Sequence, residues 1–108
     1  MSTIVYVAGP MTGLPDYNYP AFNEAAAQLT AAGYSTLNPV DSEKHNPSGV
    51  KQTWDWYMRH ALRMVTNADG IALLPGWAQS EGASLEVQVA RRLGLDVRPL
   101  KDWLEVPS

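Results

Sequence analysis

The sequence predicts one α/β domain over residues 1–108, Rossmann-like or flavodoxin-like, with a parallel sheet of about four to five strands and helices on both faces. Strand-like and helix-like segments alternate along the chain, which favours right-handed strand–helix–strand crossovers. The first apolar run, residues 3–9, is too continuous for a strand with one wet face and indicates a central strand. The length of 108 residues, with 45% hydrophobic and 18% charged side chains, suits a single core.

Four strands and three helices follow from the pattern. In chain order they are a strand over 3–9, a helix within 19–34, a strand over 34–39, a helix from 51 to about 67, a strand within 70–77, a helix over 82–94 and a last core strand over 95–100. Pro20 suits the first position of the first helix, and Gly33 and Gly94 suit the residues that end two of the helices. The polar stretch 40–50 is expected to be a loop that borders a site.

Charge and composition exclude several classes of function. The net charge is -3 and the 8 Lys and Arg residues are scattered, so DNA and RNA are not expected as main partners. The chain has no cysteine and only two histidines, His45 and His60, so no disulfide, metal site or cofactor is expected. Since no apolar run reaches membrane-spanning length and no signal-peptide pattern is present, we expect no membrane partner and a cytoplasmic location.

Glu86 is the most informative residue at the predicted ligand-binding edge, which lies beyond the carboxyl ends of the strands. It shares a helical stripe with Ala83, Ala90 and Leu93, so its carboxylate is expected to point at the sheet. The helix dipole favours its ionised form, and an ionised carboxylate that faces a cleft can attack an anomeric carbon. The alternative from the pattern alone is an exposed capping glutamate. Ser80 is likewise either a helix cap or a donor to a phosphate or hydroxyl.

The resemblance to a known family rests on five segments in order. They are YVAGPMTGLPDYNYPAFNEAAAQL, GYSTLNP, TWDWYMRHAL, NADGIALLPGW and SEGASLEVQVARRLG. Together they resemble the short nucleoside 2-deoxyribosyltransferase-like domains, which are common in bacteriophages and often of unassigned function. The resemblance covers roughly residues 3–100. It implies a relation to enzymes that cleave the bond between base and deoxyribose, and hence a small-molecule nucleoside or nucleotide partner.

The resemblance also implies roles for individual residues. The family's nucleophilic glutamate falls on Glu86, and a serine that lies near the 5′-phosphate in the 2′-deoxynucleoside 5′-monophosphate N-glycosidases falls on Ser80. A serine donates to a phosphate that an acid at this position would repel, so nucleoside 5′-monophosphates are favoured. The implied substrate-binding residues are Tyr6, Gly9, Pro10, Met11, Ser80 and Gly82. The alternative for Tyr6 is a purely structural core aromatic.

One position departs from the family pattern. Ala61 falls where the family usually has an aspartate that helps to protonate or position the leaving base. His60 is the adjacent titratable residue and a candidate acid, although it lies about 100° around the helix from that position. Asp69 is expected to be structural. Trp77 follows a Pro-Gly break at a strand end, where its indole could cover a base, whereas the other tryptophans are expected in the core or a subunit interface.

Two hypotheses from different classes follow. In the first, the protein is an enzyme in which Glu86 attacks C1′ and water or a second base resolves the glycosyl-enzyme. In the second, it is a nucleotide-binding protein that has lost efficient chemistry and sequesters or senses its ligand. An N-glycosidase for ribonucleotides or NAD-like compounds is a further alternative. Because relatives pair so that a neighbour closes the site, a homodimer or higher homo-oligomer is expected.

Overall fold

The computed structural model describes residues 3–46 and 48–105, and within them a four-stranded parallel sheet forms the centre of the fold. The strands are β1 (Ile4–Ala8), β2 (Ser35–Leu37), β3 (Gly70–Leu73) and β4 (Asp96–Pro99). Their spatial order is β2-β1-β3-β4, and Val5 of β1 lies opposite both Thr36 and Gly70. The predicted parallel α/β fold is confirmed, with its first strand buried at the centre of the sheet.

Helices cover both faces of this sheet. They are α1 (Tyr19–Ala31), α2 (Trp54–Thr66), α3 (Glu81–Arg92) and α4 (Leu100–Leu104). Because successive strand residues point to opposite faces, Tyr6 and Ala8 pack with α2 and α3, whereas Val5 and Val7 pack with α1 and α4. In the described part of the chain, no helix is long and apolar enough to cross a membrane.

The last strand and the helix after it differ from the prediction. β4 is a mostly exposed edge strand and not a core strand, because it has a neighbouring strand on one side only. The sequence pattern does not predict α4, since five residues offer too few periodic positions to reveal a helix. Trp103 of α4 is buried, and its Nε1 donates a hydrogen bond of 2.8 Å to the carbonyl of Ile71. This bond holds α4 against β3.

Two of the loops contain ordered turns. Pro39–His45 is a 3₁₀ helix within the stretch expected to be a polar loop, and the side chain of Asn38 caps it by accepting from the Val40 amide at 3.1 Å. In the second, Pro15–Asn18, the φ angles of residues 16, 17 and 18 are 52°, 52° and 60°. This left-handed region is uncommon for residues other than glycine. Asn18 Nδ2 donates to the carbonyl of Pro10 at 3.0 Å and so ties this turn to the loop after β1.

Candidate functional site

A cleft of about 930 Å³ opens at the edge of the sheet where the carboxyl ends of the parallel strands lie. Its walls come from the loops after β1 and β3, from residues of Pro39–His45, and from the first turns of α2 and α3. The volume lies in the range of small-molecule sites, and the position is the one that open parallel sheets use for ligands. We refer to this space below as the cleft.

Glu86 lies at the buried end of the cleft. Its side chain is 6% exposed, and Tyr6 Oη donates to Glu86 Oε2 at 2.6 Å. Tyr6 belongs to β1 and is fully buried, so this hydrogen bond joins the central strand to α3. The carboxylate points at the sheet as predicted, beside the buried Ala83 and Ala90. Leu93 of the same predicted stripe is 54% exposed, because it lies just beyond the last residue of α3.

The protonation of Glu86 differs from the expectation. Burial raises the pKa of its carboxyl from 4.5 to about 7, and the hydrogen bond from Tyr6 lowers the pKa by a smaller amount. The neutral form of Glu86 is therefore much more populated near neutral pH than it is for an exposed glutamate. The helix dipole does not prevent this, because it acts within the first turn and Glu86 lies in the second turn of α3. Burial and the neighbouring Glu86 also raise the pKa of Tyr6, which keeps its hydroxyl a donor.

The amino end of α3 forms one wall of the cleft. Ser80 is the N-cap of this helix, and its Oγ accepts from the amide of Ala83 at 3.2 Å. The cap, one of the two roles expected for Ser80, is therefore present. Ser80 also lines the cleft, and its hydroxyl can still donate its proton to a ligand. Gly82 of α3 also lines the cleft, and a Cβ at this position would lie 3.2 Å from Sδ of Met58 on α2. Gly82 thus allows α2 to approach α3 closely.

The loop after β1 forms a second wall, with Gly9, Pro10 and Met11 all lining the cleft. Gly9 has no room for a side chain, since a Cβ there would come within 2.8 Å of Leu74 Cβ. Gly76 has a φ of +86°, which glycine adopts without strain, and a Cβ on it would lie 3.3 Å from the Pro10 ring. The glycines therefore let the loops after β1 and β3 pack together at the edge of the cleft.

Two predicted site residues lie elsewhere. The His60 ring packs against the Trp56 ring with centroids 4.2 Å apart, and Trp77 packs half-buried against the core on the α2 and α3 face of the sheet. Neither residue is among the described residues that line the cleft, whereas Ala61 is. The 100° step along α2 from Ala61 to His60 explains the first case. In the second case, Trp77 comes directly after the left-handed residue Gly76, and its indole packs on the core.

Asp69, which is expected to be structural, forms hydrogen bonds with the backbone of Ile4. Its Oδ2 accepts from the amide of Ile4 at 2.8 Å, and its own amide donates to the Ile4 carbonyl at 2.7 Å. These two bonds align the starts of β1 and β3. Asp69 thus has a local structural function, and it does not line the cleft within the described residues.

The mouth of the cleft holds polar and aromatic residues that sequence reasoning did not assign to the site. Lys51 Nζ lies 3.2 Å from the centroid of the Tyr17 ring, and Tyr57 Oη donates to Glu43 Oε1 at 2.5 Å. Lys51, Tyr17 and Tyr57 all line the cleft, as does Trp54, which is 47% exposed. Their signal in the sequence is their place in or next to the loops that follow β1 and β2.

The fold and the cleft together define an α/β protein with a parallel sheet and a cleft of small-molecule size at the carboxyl edge of that sheet. Residues 3–98 match the family described as "Domain of unknown function (DUF4406)", and the chain belongs to this family. The fold is similar to that of the solved structure of a 2-desoxiribosyltransferase from Leishmania mexicana, with a TM-score of 0.65 and 18% sequence identity. The match covers 90% of this chain and 63% of that one. No curated protein matches the chain.

Proposed function

We propose that this protein cleaves the N-glycosidic bond of nucleosides, with (deoxy)nucleoside 5′-monophosphates as its preferred substrates and Glu86 as its nucleophile. The observation that carries the proposal is the buried Glu86 carboxylate at the closed end of the cleft, held by the Tyr6 hydroxyl at 2.6 Å. The likeness of the fold to a deoxyribosyltransferase supports the same reaction class.

The proposed reaction uses the ionised form of Glu86. Tyr6 occupies Oε2, so Oε1 is the oxygen that attacks C1′ of the sugar. As the new O–C1′ bond forms, the C1′–N bond breaks and its electron pair goes to the leaving base, which takes up a proton from water in the cleft. Water or a second base then attacks C1′ from the opposite side and gives up its proton to solvent, and the O–C1′ bond breaks to release the carboxylate. Each turnover restores Glu86, and no redox change takes place.

The decisive experiment compares Glu86→Gln with Glu24→Gln. Glutamine at position 86 has the size of glutamate and can accept the Tyr6 hydrogen bond, but its amide is a far weaker nucleophile than a carboxylate. Glu24 is an exposed glutamate of α1 that does not line the cleft within the described residues, and it provides the control. The parent chain and both variants are incubated with deoxynucleosides, ribonucleosides and their 5′-monophosphates, and free base is measured by chromatography.

We expect base release from the parent chain and from Glu24→Gln, and none above the substrate blank from Glu86→Gln. Release that survives Glu86→Gln undiminished would remove Glu86 from the mechanism. The substrates that yield free base would identify the sugar and the base, and product analysis with a second base present distinguishes transfer from hydrolysis.

A nucleotide-binding protein without efficient chemistry is the second candidate, and Ala61 is the observation that favours it. Ala61 is 4% exposed and lines the cleft, so its methyl group occupies a place where the sequence resemblance implies an aspartate. Without that acid the leaving base lacks an obvious proton donor on this face of α2. Thermal stabilisation by a nucleotide with no base release in long incubations would select this function.

A further inference from the structure

Lys51 is a cation in a cleft whose other charged walls are acidic. Glu81 and Glu86 line the cleft on its α3 side, and Lys51 lines it at the mouth. Among the described residues that line the cleft, Lys51 is the one lysine or arginine. The proposed reaction at Glu86 makes no use of this cation.

The Lys51 ammonium is held in place and still open to a ligand. Its Nζ lies 3.2 Å from the centroid of the Tyr17 ring, a cation–π contact between two loops at the mouth of the cleft. The side chain has no ion-pair partner within residues 3–46 and 48–105. An ammonium has three N–H donors, and the face of one ring does not satisfy all of them. The remaining donors suit an anionic oxygen.

The two carboxylates decide where an anion can lie in this cleft. A phosphate next to ionised Glu86 or Glu81 would meet like charges, which repel most strongly where water is excluded. With C1′ at Glu86, repulsion by these carboxylates favours the orientation in which the 5′-phosphate is directed away from the closed end of the cleft. At the mouth, Lys51 is exposed and lines the cleft, whereas the carboxylate of Glu43 accepts from the Tyr57 hydroxyl and does not line it within the described residues. The mouth is therefore the place in the cleft lining where a dianion meets an opposite charge.

We propose that Lys51 is the residue that selects phosphorylated ligands, by pairing its ammonium with the 5′-phosphate of a bound nucleotide at the mouth of the cleft. This inference rests on the proposed function for the identity of the sugar and base. It gives Ser80 a secondary part, since a neutral hydroxyl that already caps α3 cannot offset the charge of a phosphate.

The test measures binding by calorimetry in the full chain carrying Glu86→Gln, which blocks turnover in the proposed mechanism. This chain is the reference, and each further substitution is added to it. Lys51→Met removes the charge and keeps most of the side-chain length, and Lys51→Arg restores the charge. Lys101→Met, at an exposed lysine of α4 that does not line the cleft, is the matched control. The probes are the four common deoxynucleosides, their 5′-monophosphates and ribose 5-phosphate.

We expect Lys51→Met to weaken the binding of the preferred monophosphate about tenfold, equivalent to about 1.4 kcal/mol, and to leave the matching nucleoside unaffected. The affinity of Lys51→Arg and of Lys101→Met for the monophosphate should lie within about twofold of that of the reference, because both variants keep a cation at the mouth of the cleft. The affinity of the reference for the monophosphate should also fall with added salt more steeply than that of Lys51→Met.

The outcomes separate this inference from the proposed function. Equal monophosphate affinity in the reference and in Lys51→Met overturns the inference and leaves the role of Glu86 standing. Lys51-dependent binding of ribose 5-phosphate, with no base release from any nucleoside or nucleotide by the parent chain, supports the inference and removes the proposed reaction. Failure of the reference to bind any of the phosphorylated probes overturns the inference.

Discussion

Replacing Glu86 by glutamine should stabilise the protein at alkaline pH and leave its stability unchanged at acid pH. Burial raises the pKa of Glu86 from 4.5 to about 7, so the folded chain holds a proton that the unfolded chain releases. Between these two pH values unfolding releases the proton, and the free energy of unfolding falls as the pH rises. Above pH 7 the folded state contains a buried carboxylate with one hydrogen bond to Tyr6.

The size of the effect follows from the same pKa. Each tenfold change in proton affinity is about 1.4 kcal/mol, so a rise from 4.5 to about 7 corresponds to about 3 kcal/mol of lost stability at pH 8. Glutamine at position 86 does not titrate, so it adds no pH dependence to the free energy of unfolding. Its carbonyl oxygen accepts the hydrogen bond from the Tyr6 hydroxyl. We therefore expect Glu86→Gln to be up to about 3 kcal/mol more stable than the parent at pH 8, and within about 0.5 kcal/mol of it at pH 4.

Urea unfolding followed by circular dichroism at pH 4, 5, 6, 7 and 8 measures this difference. Glu81→Gln is the control, because Glu81 is exposed and its substitution should shift the unfolding free energy by less than about 1 kcal/mol at every pH. A stability difference between Glu86→Gln and the parent that stays constant from pH 4 to pH 8 would refute the reasoning. It would mean that Glu86 keeps an ordinary pKa in the folded protein.

Three further substitutions have definite expected outcomes. Tyr6→Phe removes a hydrogen bond that lowers the pKa of Glu86, so the pKa should rise further and the pH profile of base release should move to higher pH. Ala61→Asp places an acid in the cleft wall and should raise base release at least about tenfold, at some loss of stability because position 61 is buried. Gly70→Ala puts a Cβ 2.5 Å from Trp103 Cη2 and should lower the free energy of unfolding by about 1–3 kcal/mol in urea titrations.

Each of these three has its own check. Tyr34→Phe loses a hydroxyl that donates to the Trp103 carbonyl at 3.0 Å, away from the cleft, and should lower stability without moving the pH profile. Ala61→Asn has nearly the size of the aspartate variant and no acid, so equal rates for the two would argue against proton donation from this position. A Gly70→Ala protein with an unchanged urea midpoint would contradict the close packing of Trp103 on β3.

Most strands and helices could be predicted from short stretches of sequence, because each of these local patterns has a single physical cause. The continuous apolar run of β1 reflects burial on both faces of the sheet, and Gly33, with its φ of +100°, ends α1 as a left-handed residue should. The exposure of β4 could not be predicted in the same way. Whether an apolar strand is central or at the edge depends on the spatial order of the strands, which no local pattern contains.

Helix periodicity is enough to predict the direction in which a site side chain points. It is not enough to predict the pKa of that side chain, or contacts between residues of different loops. The stripe through Ala83 and Ala90 indicates that Glu86 points at the sheet, and the structure has it buried there. Its pKa depends on how completely water is excluded, which requires the surrounding loops. Lys51 was missed for a related reason, since its place beside Tyr17 joins two loops that are far apart in the sequence.

The burial of Glu86 also bears on the choice between an enzyme and a protein that only binds. A glutamine would fill the same volume, accept the same hydrogen bond from Tyr6 and avoid about 3 kcal/mol of instability at alkaline pH. A protein that only binds a sugar needs a hydrogen-bond acceptor at position 86, and the amide oxygen of glutamine is also such an acceptor. What a carboxylate adds is an anionic oxygen that can form a bond to carbon. A destabilising acid at the closed end of the cleft therefore supports our proposal of an enzyme over the alternative of a protein that only binds, although Ala61 lines the same cleft.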